Sequence, residues 1–118
     1  MSNYSELEAK VLVWAKEKGI LEKATPIAQC DKTFEEVEEL AEALEAQRMD
    51  LFEFTNSKGK VVNTTFEIQD ALGDILVTII IQAEMQGLKL EDCLQSAYDV
   101  ISKRTGKMID GQFVKDKD

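Results

Sequence analysis

The sequence predicts an all-α fold: a bundle of four helices that is completed by homo-oligomerisation and could end in a small C-terminal hairpin. The chain of 118 residues contains one proline and six glycines, so few residues interrupt helices. Apolar residues recur at helical spacing in four segments. The third of these segments is apolar around most of its circumference, which favours a partner subunit that buries it. We therefore expect a homodimer or a dimer of dimers.

The first helix is predicted from its ends. Ser5 is a suitable N-cap with acidic residues after it, and Gly19 can end the helix after Lys18. The residues that follow, 22–32, contain Thr25-Pro26 and are predicted to be a connector.

Helix two is predicted to begin near Thr33, which could form a capping box with Glu36. Its apolar residues have helical spacing: Phe34, Val37, Leu40, Ala41 and Leu44. After this helix, residues 51–65 could form a short hairpin or a mobile loop, because two apolar segments flank residues 56–59.

The second half of the chain is predicted to contain two more helices. Helix three covers about residues 65–86 and ends at Gly87, and helix four covers about residues 91–104 and ends at Gly106. In the tail, Asp110-Gly111 lies between apolar residues and could form the turn of the terminal hairpin.

The composition excludes some classes of function. With 23 acidic and 14 basic residues, the net charge is −9, which argues against a protein that coats nucleic acid. An anionic substrate would need divalent cations to bind. Cys30 and Cys93 fit neither a disulfide framework nor a zinc site, so we expect buried thiols in a reducing compartment. There is no apolar signal-peptide core, and residues 71–83 are too short to span a membrane, so we expect a cytoplasmic protein.

Two groups of carboxylates, on helices two and three, are the best candidates for a functional site. On helix three, Glu67, Asp70 and Asp74 share one stripe of an otherwise apolar segment. On helix two, a projection at about 100° per residue places Glu36 and Glu39 on one flank. If the two helices pack antiparallel, four of these carboxylates could converge: Glu36, Glu39, Asp70 and Asp74. The projection places the other glutamates on a solvated flank, without a role: Glu38, Glu42 and Glu45.

Converging carboxylates would need a compensating cation, since a buried carboxylate is costly when nothing positive lies beside it. The chain has no histidine, and oxygen ligands alone select a hard cation. Mg²⁺ suits phosphate chemistry, and Mn²⁺ could replace it. The cation would neutralise a polyphosphate and acidify a water, and Glu35 could accept the proton of that water.

Each candidate also has a purely structural explanation. The glutamates of helix two could form an ordinary solvated face, and Asp74 could pair with a basic residue where two helices meet. Lys32 and a basic cluster near the end of helix four could bind phosphates or stabilise helix ends: Lys103, Arg104 and Lys107. Trp14 and Tyr98 could be core or interface aromatics, or could stack on a base.

Residues 32–44 (KTFEEVEELAEAL) and 70–77 (DALGDILV) resemble the MazG-like nucleotide pyrophosphohydrolases of the all-α NTP pyrophosphatase superfamily. The signature of this family is EExxE followed on a later helix by ExxD. The resemblance extends through residues 98–107 and covers roughly residues 29–114. It implies an Mg²⁺-dependent enzyme that hydrolyses nucleoside triphosphates between the α and β phosphates and so removes non-standard nucleotides.

The resemblance also implies roles for individual residues. The family's acidic positions are matched by Glu35, Glu36, Glu39 and Asp74, with Glu35 and Glu36 in catalysis and the last three as metal ligands. Independently of the resemblance, we assign binding of the substrate phosphates to four basic residues: Lys32, Lys103, Arg104 and Lys107. We expect a single domain of this kind over residues 1–118.

The chain departs from the family signature at Ala71, where ExxD has a glutamate. Asp70 lies one turn before Asp74 on nearly the same face and could replace the missing ligand. The alternative that Ala71 favours is a weak or inactive helical interaction or regulatory protein. A further alternative is hydrolysis of a related substrate, such as dUTP or a nucleotide diphosphate derivative.

Overall fold

The computed structural model describes residues 3–117, which divide after Gly87 into two compact units. The described residues form five helices and two antiparallel hairpins. The predominantly helical class is confirmed, and the predicted number of four helices is wrong. The first unit contains α1 (Tyr4–Glu17), α2 (Ile20–Lys23), α3 (Pro26–Arg48), β1 (Glu53–Thr55), β2 (Val61–Asn63) and α4 (Thr64–Met85). The second unit contains α5 (Leu90–Ile101), β3 (Gly106–Ile109) and β4 (Gln112–Lys115).

The N-cap of α1 is Asn3, so the predicted cap at Ser5 is wrong. The side-chain oxygen of Asn3 accepts a hydrogen bond from the backbone N–H of Glu6 at 2.8 Å, which satisfies a donor that the helix itself leaves free. After Lys18, Gly19 takes the left-handed conformation at φ 78° and leads into α2. This four-residue helix is the element that the sequence prediction lacks.

α3 begins at Pro26, so the predicted connector over residues 22–32 and the capping box at Thr33 are both wrong. The hydroxyl of Thr25 accepts a hydrogen bond from the backbone N–H of Ala28 at 3.2 Å, and proline suits the first helical position. Thr33 lies inside the helix, with its hydroxyl 2.9 Å from that of Thr78. The longer helix carries Lys32 one turn before Glu36, on the same face.

α3 and α4 pack antiparallel and form the centre of the first unit. Gln82 donates to the carbonyl of Pro26 at 2.9 Å, and Gln29 donates to the carbonyl of Thr78 at 3.3 Å, so the start of α3 meets the later part of α4. Small side chains are buried along the two helices, which allows the backbones to approach: Ala43, Ala46 and Ala71. α1 also packs on α4 and buries Ala15.

The segment between α3 and α4 forms a hairpin, so the hairpin alternative for residues 51–65 is confirmed. β1 pairs with β2 in the register Glu53↔Asn63, Phe54↔Val62 and Thr55↔Val61. Asn63 then caps α4 by accepting a hydrogen bond from the backbone N–H of Phe66 at 2.9 Å. α4 therefore begins within one residue of its predicted start.

In the second unit, α5 ends at Ile101 and not at Arg104, because the polar residues 102–105 add no apolar position at helical spacing. Gly106 is the first residue of β3 and does not cap the helix. The terminal hairpin is confirmed: Asp110 and Gly111, with φ of 50° and 81°, form the turn between β3 and β4. Within residues 3–117, no single helix combines the length and the apolarity needed to cross a membrane.

Candidate metal centre

Three carboxylates meet where α3 and α4 pack against each other. Glu36 and Glu39 lie one turn apart on α3, and the antiparallel α4 places Asp74 beside them. One oxygen of each residue lies within 4.8 Å of one oxygen of the other two. We call these three residues the acidic triad; they are three of the four predicted metal ligands.

Glu36 is the most deeply buried member of the triad, with 8% of the residue exposed. Its Oε1 lies 3.5 Å from the Nζ of Lys32, whereas its buried Oε2 has no hydrogen-bond partner among the described residues. Burial raises the pKa of Glu36, the carboxylates of Glu39 and Asp74 raise it further, and Lys32 opposes them. A buried oxygen without a donor is costly, and a bound cation would satisfy it.

The pKa values of the other two members of the triad, Glu39 and Asp74, are shifted in opposite directions. Burial raises the pKa of Glu39, but the hydrogen bond donated by Lys58 and the one that a protonated Glu36 would donate outweigh this effect, so that the pKa lies below its ordinary value. The Lys58 Nζ is 3.0 Å from Glu39 Oε1. Burial, Asp70 and Glu39 raise the pKa of Asp74, while Lys32 and Lys58 oppose them. The triad thus holds more negative charge than its two lysines neutralise.

Asp70 lies outside the triad in the described part of the chain. It is exposed, one turn before Asp74, and both residues line a shallow pocket with Gly73. Ala71 is 1% exposed and presents a methyl group where the ExxD pattern has a carboxylate. Glu67 experiences the field of these carboxylates, since burial, Asp70, Glu39 and Asp74 raise its pKa.

The remaining predicted site residues lie at the edge of the triad or in the second unit. Glu35 is exposed on α3, with its Oε2 3.7 Å from the Nζ of Lys32. In the second unit, an exposed pocket is lined by Lys103, Arg104 and Lys115, and Lys107 lies on β3. The phosphate-binding role of the three predicted basic residues in this unit stays a prediction.

Sequence reasoning missed two features beside the triad. The first is Lys58, in the turn between β1 and β2. Its position beside the triad was not predictable, because no sequence pattern links this turn to helix α3. Trp14, 46% exposed, lines an apolar cleft with Val11 and Val77 that reaches Asp74. The sequence alone left Trp14 as a core or interface aromatic or as a residue that stacks on a base, because the cleft depends on how α1 packs against α4.

The MazG nucleotide pyrophosphohydrolase domain is the family whose model matches this chain, over residues 24–109. This range is well over half of the chain and includes the whole triad. The chain belongs to the MazG family. Searches of curated proteins and of solved structures gave no match.

Membership of the MazG family confirms the resemblance found in residues 32–44 and 70–77. MazG proteins are in general hydrolases of nucleotide acid anhydrides and typically use a divalent metal. The residues of this MazG domain fit such a metal: three carboxylates converge, and one buried Glu36 oxygen has no partner in the described residues. A set of oxygen ligands is the kind that hard cations prefer.

Proposed function

We propose that this MazG protein is an Mg²⁺-dependent pyrophosphohydrolase that converts nucleoside triphosphates, with ribose or deoxyribose, into the monophosphate and pyrophosphate. Removal of non-standard nucleotides would be its cellular role. The observation that carries the proposal is the acidic triad, with its unpartnered Glu36 oxygen, inside the region matched by the family model.

In this proposal, Glu36, Glu39 and Asp74 hold Mg²⁺ or Mn²⁺, and Asp70 supplies a further oxygen. The bound cation would neutralise the polyphosphate and acidify a water. The oxygen of a water would form a bond to one phosphorus of the α–β linkage, the bridging P–O bond would break, and pyrophosphate would leave. Glu35 accepts the proton of the water, and its exposure lets it return that proton to solvent.

The remaining parts of the proposal concern the phosphates and the assembly. Four basic residues would contact the substrate phosphates: Lys32, Lys103, Arg104 and Lys107. Exposed apolar side chains on α4, including Phe66, Leu72 and Leu76, support burial in a homodimer or a dimer of dimers. Residues 1–118 would act as one domain, since the family model includes residues of both units. Unpaired Cys30 and Cys93 suit the reducing cytoplasm.

A nucleotide panel tests the proposed activity. The purified protein is incubated with standard and modified NTPs and dNTPs in Mg²⁺ or Mn²⁺, and pyrophosphate and monophosphate are quantified. We expect pyrophosphate and monophosphate in equal amounts and no activity in EDTA. Absence of turnover at high protein concentration with both metals would reject the proposal.

A catalytically weak or inactive regulatory protein is the second candidate, and Ala71 is the residue that favours it. Calorimetric titration with Mn²⁺ distinguishes the candidates, because an inactive protein that has lost the site should bind no metal. The nucleotide panel also includes dUTP and nucleotide diphosphate derivatives, because these would be the substrates of a related hydrolase.

Asp70 provides a specific prediction, because it would replace the carboxylate that position 71 lacks. Asp70→Asn should weaken Mn²⁺ binding by about tenfold, as expected for the loss of a charged oxygen beside the metal. Calorimetry measures the change, and Glu67→Gln is the matched variant one turn earlier. If only Glu67→Gln weakens binding, the replacement ligand is Glu67 and our assignment of Asp70 is wrong.

A further inference from the structure

The turn between β1 and β2 is held against α3 beside the acidic triad. The backbone N–H of Ser57 donates to Glu42 Oε1 at 2.7 Å, and the Lys58 Nζ lies 3.0 Å from Glu39 Oε1. Asn56 stabilises the turn itself, since its side-chain oxygen accepts from the backbone N–H groups of Lys58 and Lys60, each at 3.0 Å. The turn therefore holds the backbone of Lys58 at a fixed place next to the triad.

A metal ion on the triad would disfavour the position that the Lys58 ammonium occupies in this structure. Its ammonium is paired with Glu39, one of the three carboxylates proposed to hold the cation. A divalent cation on the same carboxylate would repel the ammonium across a short distance. The Lys58 side chain is 73% exposed, so it is free to turn toward an anion that approaches from solvent.

We infer that Lys58 is a movable phosphate-binding residue: it neutralises Glu39 in the metal-free protein and turns to the phosphate chain of the metal-bound nucleotide. This inference rests on the proposed function and adds a residue to the site. The polyphosphate that binds with the metal is an anion, so it would relieve the repulsion between the metal and the Lys58 ammonium. In a chain of net charge −9, a lysine at the triad offsets the repulsion that an anionic substrate otherwise meets.

The inference predicts opposite effects of one substitution on two binding reactions. Lys58→Met removes a competitor for Glu39, so Mn²⁺ alone should bind up to about fivefold more tightly, the size of a surface ion pair. The same variant lacks a charged phosphate contact, so inorganic pyrophosphate should bind the Mn²⁺-saturated protein about tenfold more weakly. Isothermal titration calorimetry measures both affinities.

Lys60→Met is the matched control, since Lys60 belongs to the same turn and the described residues show no ion pair for its side chain. It removes the same charge and should change both affinities less than Lys58→Met. Lys58→Arg retains the cation and should restore pyrophosphate binding toward wild type. If Lys58→Met behaves like Lys60→Met, or weakens both reactions, the inference is overturned.

The two ways of failing are distinguishable. If the wild-type protein binds Mn²⁺ and hydrolyses nucleotides while Lys58→Met changes neither affinity, the inference fails and the proposed function stands. If the wild-type protein binds no Mn²⁺, both fail together.

Discussion

Glu36→Gln should strongly lower the rate of metal-dependent hydrolysis and leave the metal-free protein as stable as wild type, or more stable. Glu36 is 8% exposed, and its Oε2 has no partner in the described residues. The amide keeps the shape of the side chain but removes a buried charge that Glu39 and Asp74 repel. We expect turnover to fall by about a hundredfold or more, because the cation contributes several kcal/mol to the transition state.

Thermal unfolding and pyrophosphate release measure the two effects of Glu36→Gln. Glu38→Gln is the matched control, since Glu38 lies in the same acidic segment but is exposed and outside the triad. The control should retain activity and thermal stability. A Glu36→Gln protein that keeps wild-type turnover would show that Glu36 is not a ligand, and a marked loss of stability would show that its carboxylate is needed for folding.

Raising the pH should destabilise the metal-free protein and stabilise the protein in saturating Mg²⁺. The pKa values of three carboxyl groups are raised in the folded state: Glu36, Glu67 and Asp74. A group of this kind contributes stability that is fully present below its ordinary pKa, 4.5 for glutamate, and lost as the pH rises through the raised value. The lowered pKa values of Glu39 and Glu45 have the opposite effect. The Glu45–Arg48 pair is exposed, so solvent screens it and it contributes little, which leaves Glu39 against three groups.

Metal reverses the trend because it binds the deprotonated carboxylates and competes with protons for them. At about a hundredfold excess over its dissociation constant, a ligand adds about 2.7 kcal/mol to the free energy of unfolding. Melting temperatures from about pH 4 to about pH 8, in EDTA and in Mg²⁺, measure both trends, with NaCl of equal ionic strength as the control. Parallel curves in the two conditions would contradict a metal site in the triad.

Local signals determined much of the fold. α4 was predictable to within one residue at its start, since its apolar periodicity runs without interruption from just after Asn63 to Gly87. The start of α3 was not predictable in the same way, because Thr25-Pro26 is typical both of a connector and of a helix N-terminus. In the helical conformation, the first turns of α3 form hydrogen bonds with α4 through the carbonyl of Pro26 and the side chain of Gln29.

The candidate site was also only partly predictable from the sequence. Helical projection was sufficient to separate Glu36 and Glu39 from Glu38, because the residues on one face of a helix follow from a fixed angle per residue. Projection says nothing about how far one helix is shifted along its neighbour. That shift decides that Asp74 meets the two glutamates.

The sequence by itself determined the helical class, the acidic residues on α3 and α4, and the resemblance to the MazG family, all of which depend on residue type and short-range spacing. Only the tertiary structure decided which carboxylates meet, that one oxygen of Glu36 is buried without a partner in the described residues, and that Lys58 reaches Glu39. These features depend on packing between segments distant in the chain. The physical reason is that the offset between packed helices, which sets such contacts, depends on how their side chains interdigitate in the assembled core.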